Sequence, residues 1–144
     1  MNKSEKAISM FKTMNCNQSV FAAFGPDYGI SEETCFKLGL GYGGGMGRQG
    51  KTCGAVTGAY TVIGLWASQQ SENKQEQKKI AAQKVAEFNT AFTDQFQYTD
   101  CKDLLGYNLS IPEEAEQINK KNLFDTVCSN IVGNAATILT RILA

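Results

Sequence analysis

Apolar residues recur along this chain at helical spacing and nowhere alternate with period two. The clearest stretch is Ala55, Ala59, Val62, Ile63 and Trp66, at positions i, i+4, i+7, i+8 and i+11. An α-helix returns to the same face every ~3.6 residues, whereas a half-buried strand does so every second one. Other stripes are Ala7, Phe11 and Met14; Val20 and Phe24; Ala81, Val85, Phe88, Phe92 and on to Phe96; and Ile131, Ala135, Ile138 and Ile142. The pattern predicts an all-α chain: one helical bundle of about five helices over residues 1–144, with a glycine-rich loop leading into the central helix. A chain of 144 residues buries ~70% of its unfolded surface and needs no cross-links to hold a core.

Local signals mark the ends of these stretches. The first helical region breaks or re-caps near Asn15, and Gly25-Pro26-Asp27-Tyr28-Gly29 reads as a turn. Ser31-Glu32-Glu33-Thr34 has a capping serine followed by first-turn acids, a helix start. Ser68 to Lys74 is a polar connection, Thr99 to Gly106 a short capped helix, and Ile111-Pro112-Glu113-Glu114 the start of another turn.

Fourteen Lys and Arg balance fourteen Asp and Glu, with no basic arm or acidic tail, so nucleic acid is not an expected partner. No apolar run approaches ~18 residues, so membrane insertion is not expected either. Met1-Asn2-Lys3-Ser4-Glu5-Lys6 lacks the apolar core of a secretion signal, and the expected compartment is the cytoplasm. Thiols there stay reduced, and cysteines more often bind metal or do chemistry than form permanent bridges.

The chain has five cysteines and no histidine. Without histidine there is no His-assisted nucleophile, His zinc ligand or His-ligated haem from within the chain. Cys16, Cys53, Cys101 and Cys128 stand in four separate stretches, with no Cys-x-x-Cys pair. That argues against a zinc ribbon, a thioredoxin-type dithiol and a bacterial ferredoxin, so the fold must assemble any joint site. Asn15, Thr52 and Asp100 each place an N-cap residue just before a sulfur. A first-turn thiol meets free amides and the positive helix end, both of which favour thiolate. Cys128, just before the last apolar stripe, is a candidate for the same placement. Cys35, between Thr34 and Phe36 inside a helix, reads as a packing residue. The carboxylates Asp27, Glu32, Glu33, Asp100 and Asp103 fit caps and first turns better than acid–base catalysis.

Five of the seven residues from Gly41 to Gly47 are glycine, and Arg48 and Lys51 follow. The spacing matches neither a P-loop nor a dinucleotide fingerprint. The loop is either a tight turn between packed helices or a flap over the sulfurs that donates N–H groups. In the second case Gly44, Gly45, Gly47 and Arg48 are the candidate cofactor-binding residues, and Arg48 adds positive potential that depresses thiol pKa. Gly54 and Gly58, with Ala55 and Ala59, suggest a helix face pressed against a neighbour.

Asn15-Cys16, Gly43-Gly44-Gly45-Met46-Gly47-Arg48, Cys53-Gly54-Ala55-Val56-Thr57-Gly58, Cys101-Lys102-Asp103-Leu104-Leu105-Gly106 and Cys128 together resemble the redox-active protein family named for its C…GCAxxG…C…C cysteine pattern. The core motif is also written Cys-Gly-Ala-x-x-Gly, the form present here. The resemblance covers nearly the whole chain. It implies a small bacterial or archaeal redox protein whose four characteristic cysteines map onto Cys16, Cys53, Cys101 and Cys128, with Cys35 outside the set. A related module occurs in a multihaem cytochrome associated with an iron–sulfur centre, which makes an iron–sulfur cluster or another thiolate-bound metal an implied cofactor.

Two functions follow. In the first, thiols from separate helices gather around Cys53 as catalytic or metal-ligating residues, Cys16, Cys53, Cys101 and Cys128 together. They hold an iron–sulfur or other metal centre, or exchange dithiol for disulfide with Cys53 attacking and Cys16 or Cys101 resolving. A redox partner protein is then expected. In the second, the chain is a non-catalytic helical binding or oligomerisation module, such as a homodimer, with structurally buried cysteines.

Overall fold

Asn15 divides the first helical stretch in two. Its side chain accepts from the Gln18 amide while the Gln18 side chain accepts from the Asn15 amide, a reciprocal cap that starts a new helix. In the computed structural model, which describes residues 1–144, eight α-helices result. They are α1 (Lys3–Phe11), α2 (Cys16–Phe24), α3 (Glu32–Gly39), α4 (Gly54–Ser68), α5 (Lys74–Phe96), α6 (Cys101–Leu105), α7 (Pro112–Lys120) and α8 (Ser129–Ile142). Short 3₁₀ turns occupy Gly25–Tyr28 and Leu40–Tyr42, and a π-helical turn, Phe124–Cys128, runs into α8. The all-α expectation holds, but the count of about five helices does not. Helices α3, α6 and α7 span only five to nine residues, too short to write a long apolar stripe.

Ser31 caps α3 through the Thr34 amide, Pro112 opens α7, and Gly106, at φ +75°, closes α6. The chain has no strand, and its one β-bridge pairs Thr52 with Asp100 antiparallel. No helix is long and apolar enough to cross a membrane.

Helix α2 joins α4 at the centre. Eight of its nine residues are buried, and it packs against α1, α3, α4 and α8. Its polar side chains are all satisfied. The Asn17 amide donates to Thr57 Oγ1 at 3.0 Å, Gln18 Nε2 to the Phe36 carbonyl at 2.7 Å, and Ser19 Oγ to the Asn15 carbonyl at 2.7 Å. On the far side of α4, Tyr60, Phe88, Phe92 and Phe96 form an aromatic ladder that seats α5. The only fully buried residues of α5 are Phe88 and Phe92, and its lysines and glutamines face away from the core.

The buried apolar residues form two clusters. The larger includes Cys53 and joins α1, α2, α4, α5 and α8. The smaller comprises Cys101, Leu105, Leu109, Ile118 and Cys128. Phe11, Cys16 and Val127 pack against both, so the seam between the clusters runs through the cysteines.

Candidate functional site

The fold brings Cys16, Cys53, Cys101 and Cys128 into one cavity of about 640 Å³, although the sequence keeps them in four stretches. Cys16 opens α2 behind its reciprocal cap, and Cys53 stands at the N-cap of α4. Cys101 opens α6, and Cys128 closes the π turn ahead of α8. All five cysteines are free thiols, and Cys35 lies elsewhere, fully buried between α3 and the Gly25 turn with its Sγ near the Ile30 carbonyl.

The Cys-Gly-Ala-x-x-Gly segment explains how α2 and α4 come so close. A Cβ on Gly54 would stand 2.7 Å from the Asn17 amide and 2.9 Å from Cys16 Cβ; one on Gly58 would stand 2.8 Å from the Asn17 carbonyl. Only glycine lets the first turn of α4 press against the first turn of α2, which is what places Cys53 beside Cys16. Thr57, between the two glycines, ties the contact with its bond to Asn17. This polar link carried no signal in the sequence beyond two ordinary residues at helical positions.

Cys53 and Cys101 are registered by backbone rather than by capping side chains. The Cys53 amide donates to the Thr99 carbonyl at 2.8 Å and the Cys101 amide to the Lys51 carbonyl at 2.6 Å, on either side of the Thr52–Asp100 bridge. Thr52 is therefore not an N-cap, contrary to its sequence reading, because the bridge takes its backbone and Cys53 assumes the cap position. Asp100 does precede α6 but makes no capping bond with its side chain.

The glycine loop closes over the cysteines. Gly44, Gly45, Met46, Gly47 and Arg48 all have φ between +62° and +74°, a left-handed turn that costs Met46 and Arg48 of order 1–2 kcal/mol each. It is held by the Arg48 amide to the Gly43 carbonyl, Gly50 to Gly44 and Lys51 to Gly45. Gly45 rests directly on Cys101, since a Cβ there would meet Cys101 Cβ at 2.7 Å. The amides of Gly44, Gly45 and Gly47 donate to no group of the protein. Gly43, Gly44, Gly45, Gly47 and Arg48 line the cavity with the four cysteines.

The thiols are not equivalent. Cys16 is raised well above the ordinary thiol value, first because its thiol donates toward Cys128, then toward Cys53, and third because of burial. Cys53 is lowered, chiefly by the hydrogen bond from Cys16; burial opposes this, and the amides of Ala55 and Val56 in the first turn of α4 assist it. Those amides act through their positive ends, since no capping bond of ordinary geometry closes on the Cys53 side chain. Cys101 is pushed up to about 12, by burial first and then by the nearby Cys53 and Cys128, against the pull of Arg48. The expectation that first-turn placement makes each thiol acidic is thus corrected. Only Cys53 is lowered, and there the Cys16 contact counts for more than the helix-end amides; donation at Cys16 and burial at Cys101 outweigh the helix ends. Cys128 does not share the placement, for it lies inside a continuous helical run from the π turn into α8.

The sequence reading missed what the π turn does. It carries Phe124 and Asp125 to the cavity along with Cys128, and Ile131 follows one turn later. Phe11, Lys12 and Met14, at the end of α1 and just beyond, also line the cavity. As they stand, no three cysteine or carboxylate side chains meet at one position able to hold a metal ion. No curated protein and no solved structure matches the chain. The model of the family described as "Putative redox-active protein (C_GCAxxG_C_C)" matches residues 14–142, the stretch that holds all four cavity cysteines and the glycine loop, and the chain belongs to that family.

Proposed function

We propose that this chain is a dithiol–disulfide redox protein in which Cys53 is the attacking thiolate and Cys16 the resolving thiol. The observation that carries the reading is the placement of Cys53 beside Cys16: Gly54 lets the first turn of α4 press against Cys16, and both thiols line one cavity. In that setting Cys53 is lowered and Cys16 raised from the ordinary thiol value. Thiolate is the attacking form in thiol–disulfide exchange, and a neutral thiol beside it waits for the second step.

The Cys53 sulfur attacks one sulfur of an incoming disulfide. The substrate S–S bond breaks, a mixed disulfide forms on Cys53, and the first substrate thiolate leaves. Cys16 passes its proton to that thiolate, and its own sulfur then attacks the Cys53 sulfur. This releases the second substrate thiolate, protonated from water, and closes a Cys16–Cys53 disulfide. Two electrons pass from the protein dithiol to the substrate disulfide, and a dithiol or two equivalents of a monothiol return the protein to its starting state, leaving as a disulfide.

An iron–sulfur or other thiolate-bound metal centre has the donor chemistry of four thiols in its favour. The sulfurs do not converge on one ion position. The reading as a helical binding module leaves unexplained why four thiols from separate stretches share one cavity.

The test is trapping. Reduced protein is treated with a small uncharged disulfide, bis(2-hydroxyethyl) disulfide, and followed by intact-mass and peptide mass spectrometry. Wild-type protein should end with Cys16 and Cys53 joined and two hydrogens lost. Cys16→Ser should stall as a mixed disulfide on Cys53. The proposal fails if Cys53 stays a free thiol, or if Cys53→Ser consumes the disulfide as fast as wild type.

A further inference from the structure

Resting on that reading, one question is which disulfide reaches Cys53. Cys53, Cys101 and Cys128 are only 6–8% exposed and line the cavity. A disulfide anchored in a folded protein reaches sulfurs this buried less readily than a small molecule does, because attack needs the three sulfurs close together. The volume of about 640 Å³ falls within the ~300–1,000 Å³ of small-molecule sites.

The walls point to the class of molecule. Phe11, Met14, Leu104, Leu105, Phe124 and Ile131 give the interior an apolar lining. Lys12 and Arg48 stand exposed at the edge, and neither forms an ion pair within the protein, although five other lysines do. Arg48 and Cys101 line the same cavity. Arg48 is held there in a left-handed backbone conformation that favours glycine, and the three glycine amides of the same loop are without acceptors. Asp125 is the one acid on the wall, so cations and free amide donors outnumber it.

We propose that the cavity is the binding pocket for a low-molecular-weight disulfide carrying a carboxylate, and that such a molecule, not a protein disulfide, is what Cys53 reduces. The apolar body of the molecule sits against the α1, α6 and π-turn walls. Its carboxylate faces Arg48, Lys12 and the loop amides, and its S–S bond lies over Cys53. The exchange balances as above: the substrate S–S bond is reduced to two thiols while the Cys16–Cys53 disulfide forms.

The experiment compares three disulfides of similar size and different charge: 3,3′-dithiodipropionate, bis(2-hydroxyethyl) disulfide and cystamine. Each rate at Cys53 is divided by the rate of the same disulfide with free 2-mercaptoethanol, which removes intrinsic reactivity. The dianion should be favoured over the neutral compound by roughly fivefold or more, and cystamine disfavoured, with a preference that shrinks as salt rises. Arg48→Gln and Lys12→Gln should each narrow the anion-to-neutral ratio; Lys12 lies outside the glycine loop and tests the charge independently of loop geometry. Equal normalised rates for all three compounds, or faster reduction of a disulfide-bonded protein such as insulin, would overturn the proposal while leaving Cys53 chemistry intact. Failure of every disulfide to react at Cys53 would instead remove the redox reading on which it rests.

Discussion

Cys53 is pulled below the ordinary thiol value, whereas Cys16, Cys35 and Cys101 are all pushed above it. Cys16 gains nothing from opening a helix, because donating toward Cys128 and Cys53 holds its proton more firmly than the helix end releases it. Cys101 shows the cost of depth. Its pKa is raised from an ordinary 9.0 to about 12, so the folded state keeps this proton longer than the unfolded chain does. Stability attributable to Cys101 is therefore intact below pH 9 and is lost as pH climbs from there toward 12. Thermal unfolding of Cys101→Ala should fall less steeply with pH across that window than wild type, and parallel slopes would contradict the assignment. Cys35 is the internal control. It is fully buried away from the cavity, so Cys35→Ala should lower stability by about 1 kcal/mol in denaturant unfolding and leave the reactivity of Cys53 unchanged.

At the level of elements, the site depends on two helix starts being forced together. Gly54→Ala and Gly58→Ala each drive a methyl into the α2 backbone, and overpacking of this kind costs ~1–3 kcal/mol. Gly54→Ala should also separate Cys16 from Cys53 and raise the Cys53 pKa toward the ordinary thiol value, readable in its alkylation rate against pH. An unchanged profile at reduced stability would show that the contact only packs. The close approach was legible in the sequence, since small residues at i and i+4 beside a cysteine announce it. The cap at Asn15 was legible too, because Asn with Gln three residues on is a local signal. The Thr52–Asp100 bridge was not. It pairs residues nearly fifty positions apart through main chain alone, and its effect on Cys53 and Cys101 leaves no trace in side-chain type. The π turn was hidden for a related reason, as Phe124–Cys128 has no composition that marks it off from an ordinary helical turn.

Across the whole molecule, the helical class and the apolar stripes followed from periodicity, and the short helices escaped because five to nine residues carry few buried positions. The grouping of four distant sulfurs came from motif resemblance, not from spacing. What no sequence pattern supplied is the difference between the thiols, for it arises only when α2, α4, α6 and the π turn meet at the seam of two apolar clusters. The lowered pKa of Cys53 is in this sense a property of the folded chain and should vanish in denaturant. The most direct test is alkylation with iodoacetamide as a function of pH, read cysteine by cysteine by mass spectrometry in wild type and Cys16→Ser. Cys53 should be the first thiol labelled in folded wild-type protein, half-maximal below pH 9, and its midpoint should move upward in Cys16→Ser and in unfolded wild type. A Cys53 profile that matches an ordinary thiol in folded protein, or that does not respond to loss of Cys16, would contradict the central claim.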